Sequence, residues 1–573
     1  MKRVLYYLKD YKKECVCAPL FKMLEASFEL FVPLVIAAII DKGIGLGNKG
    51  EIVKGFAVLV MLGLIGLCVA VIAQYFSAKA AVGFATKLRH NLFKHLMGLS
   101  YTEIDTLGTA TMITRMTSDV NQAQTGVNMF LRLFLRSPFV VFGAMVMAFT
   151  IDFKSALLFV FAIAGLFAVV SVIMALNIPM MKDVQRKLDD VLLKTRENLT
   201  GVRVLRAFCR EDEEIEQFYA SNKILTKKQK RSGHVSGLLN PLTYVLINIA
   251  IILLINSGAL QVAKGNLTQG EVVALYNYMS QILVELVKLA NLIVTLNKAM
   301  ASANRLGEVF AIEPSMKDGE VIETKSQTDS YIEFRNVALK YKGAQEESLS
   351  NINFTVKKGQ TVGIIGGTGC GKTSLVHLIT RYYDATNGEV LFEGKNVKDL
   401  KQDYLRKKIG IVMQKAVLFK GSIRDNLKWG KEDATEEELM QAVTDAQALD
   451  VVEKKGGLDA EVEQNGRNFS GGQKQRLSIA RALVGKPDIL IFDDSSSALD
   501  YATDAALRTA LKNLSHNPTV FMVSQRTSSI QHADLILVLE DGELVGTGTH
   551  EELLASCDVY REIYESQYKK EEN

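Results

Sequence analysis

Gln360-Thr361-Val362-Gly363-Ile364-Ile365-Gly366-Gly367-Thr368-Gly369-Cys370-Gly371-Lys372-Thr373-Ser374 decides how the C-terminal half of this chain is read. The apolar start predicts a short strand, and a helix is predicted to begin near Lys372. Between them stands GxxxxGK[ST], in the strand-to-helix setting that a P-loop requires. Its glycines let successive backbone N–H groups turn inward around a phosphate. Lys372 would neutralise β- and γ-phosphates, and Thr373 would ligate Mg2+. Gly366, Gly367, Thr368, Gly369, Cys370, Gly371, Lys372, Thr373 and Ser374 are therefore candidate contacts for ATP.

A second stretch fits the same chemistry. Leu490-Ile491-Phe492-Asp493-Asp494-Ser495-Ser496-Ser497-Ala498-Leu499-Asp500 is an apolar strand that ends in two carboxylates before a polar turn, a pattern suited to a Mg-nucleotide site. The surrounding region, after about residue 330, reads as a soluble α/β domain.

The N-terminal half is different. The chain has 573 residues, enough for several domains, and its mean hydropathy of +0.13 is high for a soluble protein. The apolar excess lies before about residue 305. A net charge of +4 with dispersed basic residues does not call for nucleic acid. The six cysteines fall mostly where cytoplasm or membrane is expected, which argues against a disulfide framework. Met1-Lys2-Arg3 leads into Val4, Leu5, Tyr7 and Leu8 with lysines interspersed. No continuous apolar segment or cleavage site follows, so this is read as a basic amphipathic helix on the inner membrane surface, not a signal peptide.

Six apolar stretches, near residues 17–40, 55–79, 126–150, 154–178, 239–263 and 271–296, are long enough to cross about 30 Å of hydrocarbon. The connections 41–52, 151–153 and 264–270 are short, whereas 80–125 and 179–238 are long and rich in Lys and Arg. The positive-inside rule puts those long helical extensions and both termini in the cytoplasm. Lys22, Glu25 and Glu29 share one face of the first span. Charge at that depth faces protein or a cavity. Two readings stay open: a site for a cationic substrate or a gating contact, and an ion-paired helix contact near the cytoplasmic interface.

Asn468-Phe469-Ser470-Gly471-Gly472-Gln473-Lys474-Gln475-Arg476 adds a glycine-rich helix start, which by itself says little. With the P-loop and six spans, however, the whole chain resembles the ABC transporters, specifically one half of a bacterial exporter with fused membrane and nucleotide domains. The resemblance implies an all-α six-helix transmembrane domain with long cytoplasmic extensions (1–310), a linker (311–330) and an α/β P-loop ATPase domain (331–573). It implies that Tyr341 stacks on adenine, though a plain strand aromatic is the competing reading. It implies that Gln414 contacts Mg2+ and γ-phosphate, that Asp493 holds Mg2+ through water, and that Asp500 belongs to the D-loop. Ser470, Gly471, Gly472 and Gln473 would form the signature cradle that faces the P-loop of an opposite subunit. Segments 107–120 and 197–208 resemble the coupling regions of such exporters.

Two residues depart from the family pattern. Asp494 stands where Glu orients the attacking water, and Gln525, in Val523-Ser524-Gln525-Arg526, stands where the switch His is usual. Asp is shorter by one methylene, about 1.5 Å, and phosphoryl transfer depends on positioning at that scale. Gln can donate a hydrogen bond but cannot become cationic or shuttle a proton. The expectation is a site that binds ATP and hydrolyses it slowly, similar to the degenerate half of heterodimeric multidrug-type exporters. Its partner would be a homologous half with Glu and His. The substrate would be a small molecule, lipid or peptide, and the place a bacterial plasma membrane. An ATP-gated channel or regulator, and a slow homodimeric exporter, are the rival readings.

Overall fold

The computed structural model describes residues 2–324 and 330–568. Residues 325–329 of the expected linker, Met1 and 569–573 lie outside the described residues. The chain divides into two compact units, Met1–Met97 with Ala110–Ile312, and Gly98–Thr109 with Glu313–Asn573.

The first unit is helical. Among the described residues, six helices are long and apolar enough to cross a membrane: Arg3–Ile44, Lys49–Met97, Thr109–Ile151, Phe153–Thr200, Glu211–Ala263 and Gln269–Val309. At 1.5 Å per residue, a helix of 49 residues reaches about 70 Å, more than twice the hydrocarbon thickness. The second and fourth expected spans run unbroken into helical extensions, Lys49–Met97 and Phe153–Thr200, whereas the third is interrupted between Val120–Leu133 and Arg136–Ile151. Their short connections carry local stop and start signals. Asp152 caps Phe153–Thr200 by accepting from Ser155 N at 2.7 Å. Thr268 and Glu271 form a capping box at the start of Gln269–Val309. Close helix approach uses small residues: a Cβ on Gly126 would stand 2.2 Å from Ala299 Cβ. The core centres on Phe159, Leu254, Leu275 and Tyr278, and the Tyr278 hydroxyl donates to Leu30 O at 2.6 Å.

The N-terminal segment is helical as expected, with Lys2–Leu5 followed by a tighter 3₁₀ stretch, Tyr6–Tyr11. It is also partly packed against protein: Val4 is buried and Arg3 donates to Phe310 O at 2.9 Å.

The second unit contains two main sheets. One is antiparallel, ordered Leu349–Val356, Ile332–Leu339, Asn387–Phe392, Lys395–Asn396. The other has the order Glu543–Gly548, Leu535–Glu540, Thr361–Gly366, Thr519–Val523, Ile489–Asp493, Ile409–Val412. Its last five strands run parallel, and the first is an antiparallel edge. Both faces of the parallel strands are buried, which explains their unbroken apolar runs. Ile364, Ile491 and Phe521 enter one core, and Ile365, Leu490, Phe492 and Met522 the other.

Gly98–Thr109 groups with the ATPase unit, so the expected 107–120 segment overlaps it only at residues 107–109. The helix Tyr101–Leu107 is held there by side chains. Tyr101 packs on Tyr382 with ring centroids 4.5 Å apart, and Tyr383 donates to Asp105 Oδ2 at 2.5 Å. The second expected segment, 197–208, contains a break at Gly201 and a short helix, Val202–Ala207.

Candidate nucleotide site

Four neighbouring parallel strands end at the same edge of the six-stranded sheet, and each delivers one part of the site. Thr361–Gly366 leads into the P-loop, Ile489–Asp493 ends on the first carboxylate, Thr519–Val523 precedes Gln525, and Ile409–Val412 precedes Gln414. The register aligns them: Val523 pairs with both Ile364 and Asp493, and Val412 with Phe492. A crevice beyond the C-terminal ends of parallel strands is the general ligand position of open α/β sheets.

The P-loop backbone bends as its glycines predict. Gly369 and Gly371 have φ of +88° and +97°. A Cβ on Gly371 would stand 2.6 Å from Ser348 O, so both conformation and space require glycine. The helix Lys372–Ile379 starts immediately after. The buried Lys372 ammonium donates to Gly366 O at 2.9 Å and Gly367 O at 2.5 Å, and lies 3.6 Å from Cys370 Sγ.

Thr373 Oγ1 donates to Asp493 Oδ1 at 3.0 Å. Burial pushes the Asp493 carboxyl above its ordinary range, and the charge of Asp494 adds to this; Thr373 and Lys372 oppose it. A hydroxyl and a carboxylate in contact are hard oxygen donors, which fits Mg2+ completed by phosphate oxygens and water. No cluster of three or more His, Cys, Asp or Glu side chains able to hold a metal occurs among the described residues.

Asp494 is buried and has a left-handed backbone, φ +45°, a conformation Asp accepts better than most residues. Gln414 Nε2 donates to its Oδ2 at 3.2 Å, and Gln525 Nε2 reaches the same oxygen at 3.5 Å. The structure therefore brings Lys372, Thr373, Gln414, Asp493, Asp494 and Gln525 to one edge.

Other candidate residues take different positions. Tyr341 lies beyond the strand Ile332–Leu339, so it is not a strand aromatic. Its hydroxyl donates to the P-loop Ser374 at 3.0 Å, and its ring meets Tyr383 edge-on at 5.0 Å. Ser470 and Gln473 form a capping box that starts the helix Gly471–Val484. Among the described residues no hydrogen bond ties that box to the P-loop. Gly472 instead faces the turn Ser495–Ala498: a Cβ there would be 3.0 Å from Ala498 O. Asp500 caps Tyr501–Lys512, accepting from Thr503 N at 2.9 Å.

Residues 15–286 match the family model described as "ABC transporter transmembrane region", and residues 349–497 the one described as "ABC transporter". A Bacillus subtilis (strain 168) relative, the "Uncharacterized ABC transporter ATP-binding protein YfiB", is 34% identical over 572 residues, covering 100% of this chain and 99% of the relative. The chain belongs to the ABC transporter family. A Mycobacterium tuberculosis (strain ATCC 25618 / H37Rv) relative of this transporter, Rv1273c, is 34% identical over 98% of this chain and 97% of its own length. A shorter match, 36% over 65% of this chain and 63% of the relative, is to the B. subtilis "Probable multidrug resistance ABC transporter ATP-binding/permease protein YheI". Among solved structures, "Structure of a bacterial Atm1-family ABC exporter with ATP bound" superposes with a TM-score of 0.80 at 23% identity, covering 97% of this chain and 98% of that one, which establishes the fold. The transporter is a multi-pass membrane protein whose ATPase domain couples ATP hydrolysis to transport.

Within its membrane unit the charges seen in the first span are ion-paired. Lys22 donates to Glu25 at 2.5 Å. Glu29 is held from another span: Arg136 Nη2 donates to both its oxygens, at 2.9 and 2.7 Å, while Nη1 donates to Glu285 Oε1 at 2.7 Å. Arg136 and Glu285 were not anticipated, although their signal is the same as that of Glu29, a charge inside an apolar stretch.

Proposed function

We propose that this chain is one half of a heterodimeric bacterial exporter in the plasma membrane, with the ATPase domain and both termini cytoplasmic. Its own P-loop carries a degenerate, slowly hydrolysing ATP site. Its signature, Ser470 to Gln473, completes the consensus site on the P-loop of a homologous partner bearing Glu and His. The substrate is a drug, lipid or peptide.

The environment of Asp494 carries this reading. The shortened carboxylate is engaged through one oxygen by Gln414 and approached by Gln525. It reaches about 1.5 Å less far than Glu, and a misplacement of about 1 Å can cost on the order of a hundredfold in rate. Gln525 cannot carry the charge of the usual His. The binding parts are intact. Lys372 would take the β- and γ-phosphates, Tyr341 the adenine, and the P-loop amides the phosphate oxygens. Thr373, Gln414 and Asp493 would hold Mg2+, which supplies charge neutralisation at the phosphates. Closure of two such ATPase domains on ATP would drive the spans between inward- and outward-facing states, and hydrolysis at the partner's site would reset them.

The test is ATPase activity of the purified chain alone and co-expressed with a Glu- and His-bearing homologous half. The chain alone is expected to be slow and the pair fast. In the pair, Ser470→Arg should abolish turnover, whereas Lys372→Ala should leave most of it. Activity of the lone chain equal to that of the pair, or the opposite order of the two variants, would overturn the assignment.

A further inference from the structure

The helix Asp558–Tyr568 reaches back from the end of the ATPase unit to the segment that carries Gln525. Its docking is apolar. Tyr560 is buried in the same core as Ile530, and Val559 and Ile563 pack against that core. The Tyr560 hydroxyl is hydrogen-bonded to His550 Nδ1 at 2.7 Å. Gln567 lies one turn beyond Ile563 on the same helical face. It is exposed, so it buries little surface, but its amide is fully committed.

Gln567 Oε1 accepts from Thr527 N and from Thr527 Oγ1, each at 2.9 Å, and Nε2 donates to Gln525 O at 2.8 Å. The three partners fix the orientation of the amide. Turned over, its oxygen would face a carbonyl and its NH2 group would face an N–H. The bond from Thr527 N supplies an acceptor to the start of the helix Thr527–Ile530, where Arg526 gives no side-chain cap. The bond to Gln525 O acts on a different residue, one whose Nε2 stands 3.5 Å from Asp494 Oδ2. Just upstream, Ser524 N donates to Ile364 O at 3.1 Å. The turn through Gln525 is thus pinned to the parallel sheet on one side and to Gln567 on the other.

We propose that Gln567 is a positioning residue for the nucleotide site of this chain: by holding the Gln525 carbonyl it sets where the Gln525 side chain meets the γ-phosphate. Gln567 itself touches the backbone of the turn and not the reacting atoms. Placement errors of about 1 Å are enough to matter in such a site. The inference rests on the reading of Gln525 as the side chain that faces the γ-phosphate, and it does not need a heterodimer.

The test compares the affinities of the full chain in lipid nanodiscs for Mg-AMP-PNP, which carries a γ-phosphoryl group and resists hydrolysis, and for Mg-ADP, which lacks it. Gln525→Ala is expected to lower the ratio of the two affinities by about threefold to tenfold, the scale of one hydrogen bond. Gln567→Ala should lower it by a similar factor with ADP affinity unchanged. Gln567→Glu can still accept from Thr527 but cannot donate to Gln525 O. It should therefore match Gln567→Ala in the ratio while its thermal midpoint stays that of the unaltered chain. In the Gln525→Ala background, Gln567→Ala should lower the ratio no further, because the two residues act as one unit. A silent Gln525→Ala would remove the γ-phosphate reading and the inference with it. An effective Gln525→Ala with both Gln567 variants silent would overturn the inference alone. So would additive losses, a parallel fall in ADP affinity, or a ratio preserved by Gln567→Glu, which would assign the effect to the Thr527 contacts.

Discussion

Gln414 donates from Nε2 to Asp494 Oδ2 at 3.2 Å, linking the loop after Ile409–Val412 to the end of Ile489–Asp493. Gln525 reaches the same oxygen from the next strand. Asp494 and Gln525 are therefore neighbours, and Gln414 completes the group. On the proposed reading of a slow site, Gln525→His alone would leave the Gln414 amide on the short Asp494 carboxylate, so faster turnover is expected to need both changes. In a pair whose partner P-loop lysine is disabled, Asp494→Glu with Gln525→His should raise turnover by on the order of tenfold to a hundredfold. Steady-state ATPase measures it, and an unchanged rate would move the defect to the partner's signature.

Asp493 gives a stability prediction with a sign. Its folded carboxyl is pushed above the ordinary value of 3.8, first by burial. Ionisation then costs folding stability: the cost is absent below the ordinary value and complete above the folded one. At pH 7 without Mg2+ or nucleotide, Asp493→Asn should raise the Tm of the full chain by a few degrees, and the extra stabilisation by Mg-ATP should shrink. Thermal melts with and without Mg-ATP read both effects.

His377 should make the ATPase unit acid-sensitive. Among the described residues neither ring nitrogen has a hydrogen-bond partner, and the ring packs against Tyr382 and Tyr383 at 5.4 and 5.9 Å. Burial holds its pKa below the ordinary 6.5, with Asp105 opposing weakly. The unfolded chain therefore takes up a proton first, so stability is complete above 6.5 and is lost as pH falls below it. The slope is at most about 1.4 kcal/mol per pH unit for one proton. His377→Leu should flatten the fall in denaturation midpoint between pH 7 and 5; an unaltered pH profile would assign the sensitivity elsewhere.

Arg136 should be the most costly single loss in the membrane unit. Arg136→Leu takes one of two counter-charges from Glu285, 3% exposed, and leaves it Lys288 alone, a loss of up to the about 3–5 kcal/mol that breaking a buried pair costs. Glu285→Gln added to Arg136→Leu should recover most of the loss. A double-mutant cycle on thermal stability in detergent checks the coupling, and simple additivity would count against the buried pair.

Cys370 lies in the P-loop but is 5% exposed and sits against the Lys372 ammonium. Thiol alkylation is therefore expected to be slow, with ATP slowing it further. Mass spectrometry of the modified peptide gives the rate, and fast ATP-indifferent labelling would contradict the packing.

Much of the site was legible because its parts are local. The GxxxxGK[ST] run requires positive φ at Gly369 and Gly371 and a helix beginning at Lys372, and these follow from neighbouring residues alone. The two carboxylates at the end of an apolar run marked a strand terminus, and Ser470 with Gln473 marked a helix start. The six spans were legible for the same reason, since their length and apolar composition are sequential properties. That Gly98–Thr109 groups with the ATPase unit was not legible in the sequence. What holds it is Tyr101 on Tyr382 and Asp105 on Tyr383, partners nearly three hundred residues apart.

The sequence by itself determined the membrane and ATPase halves and the glycine-rich turn between the strand Thr361–Gly366 and the helix Lys372–Ile379. Backbone preference and apolar periodicity act over a few residues, so these can be read in order along the chain. Only the tertiary structure decided that Gln414, Asp494 and Gln525 share one oxygen, because strand order in the parallel sheet places three distant strand ends side by side. Only it decided that Glu29 is held by Arg136 and faces an apolar cleft. A buried charge takes whichever counter-charge the packing of helices brings within reach, and that choice is made between spans, not along one.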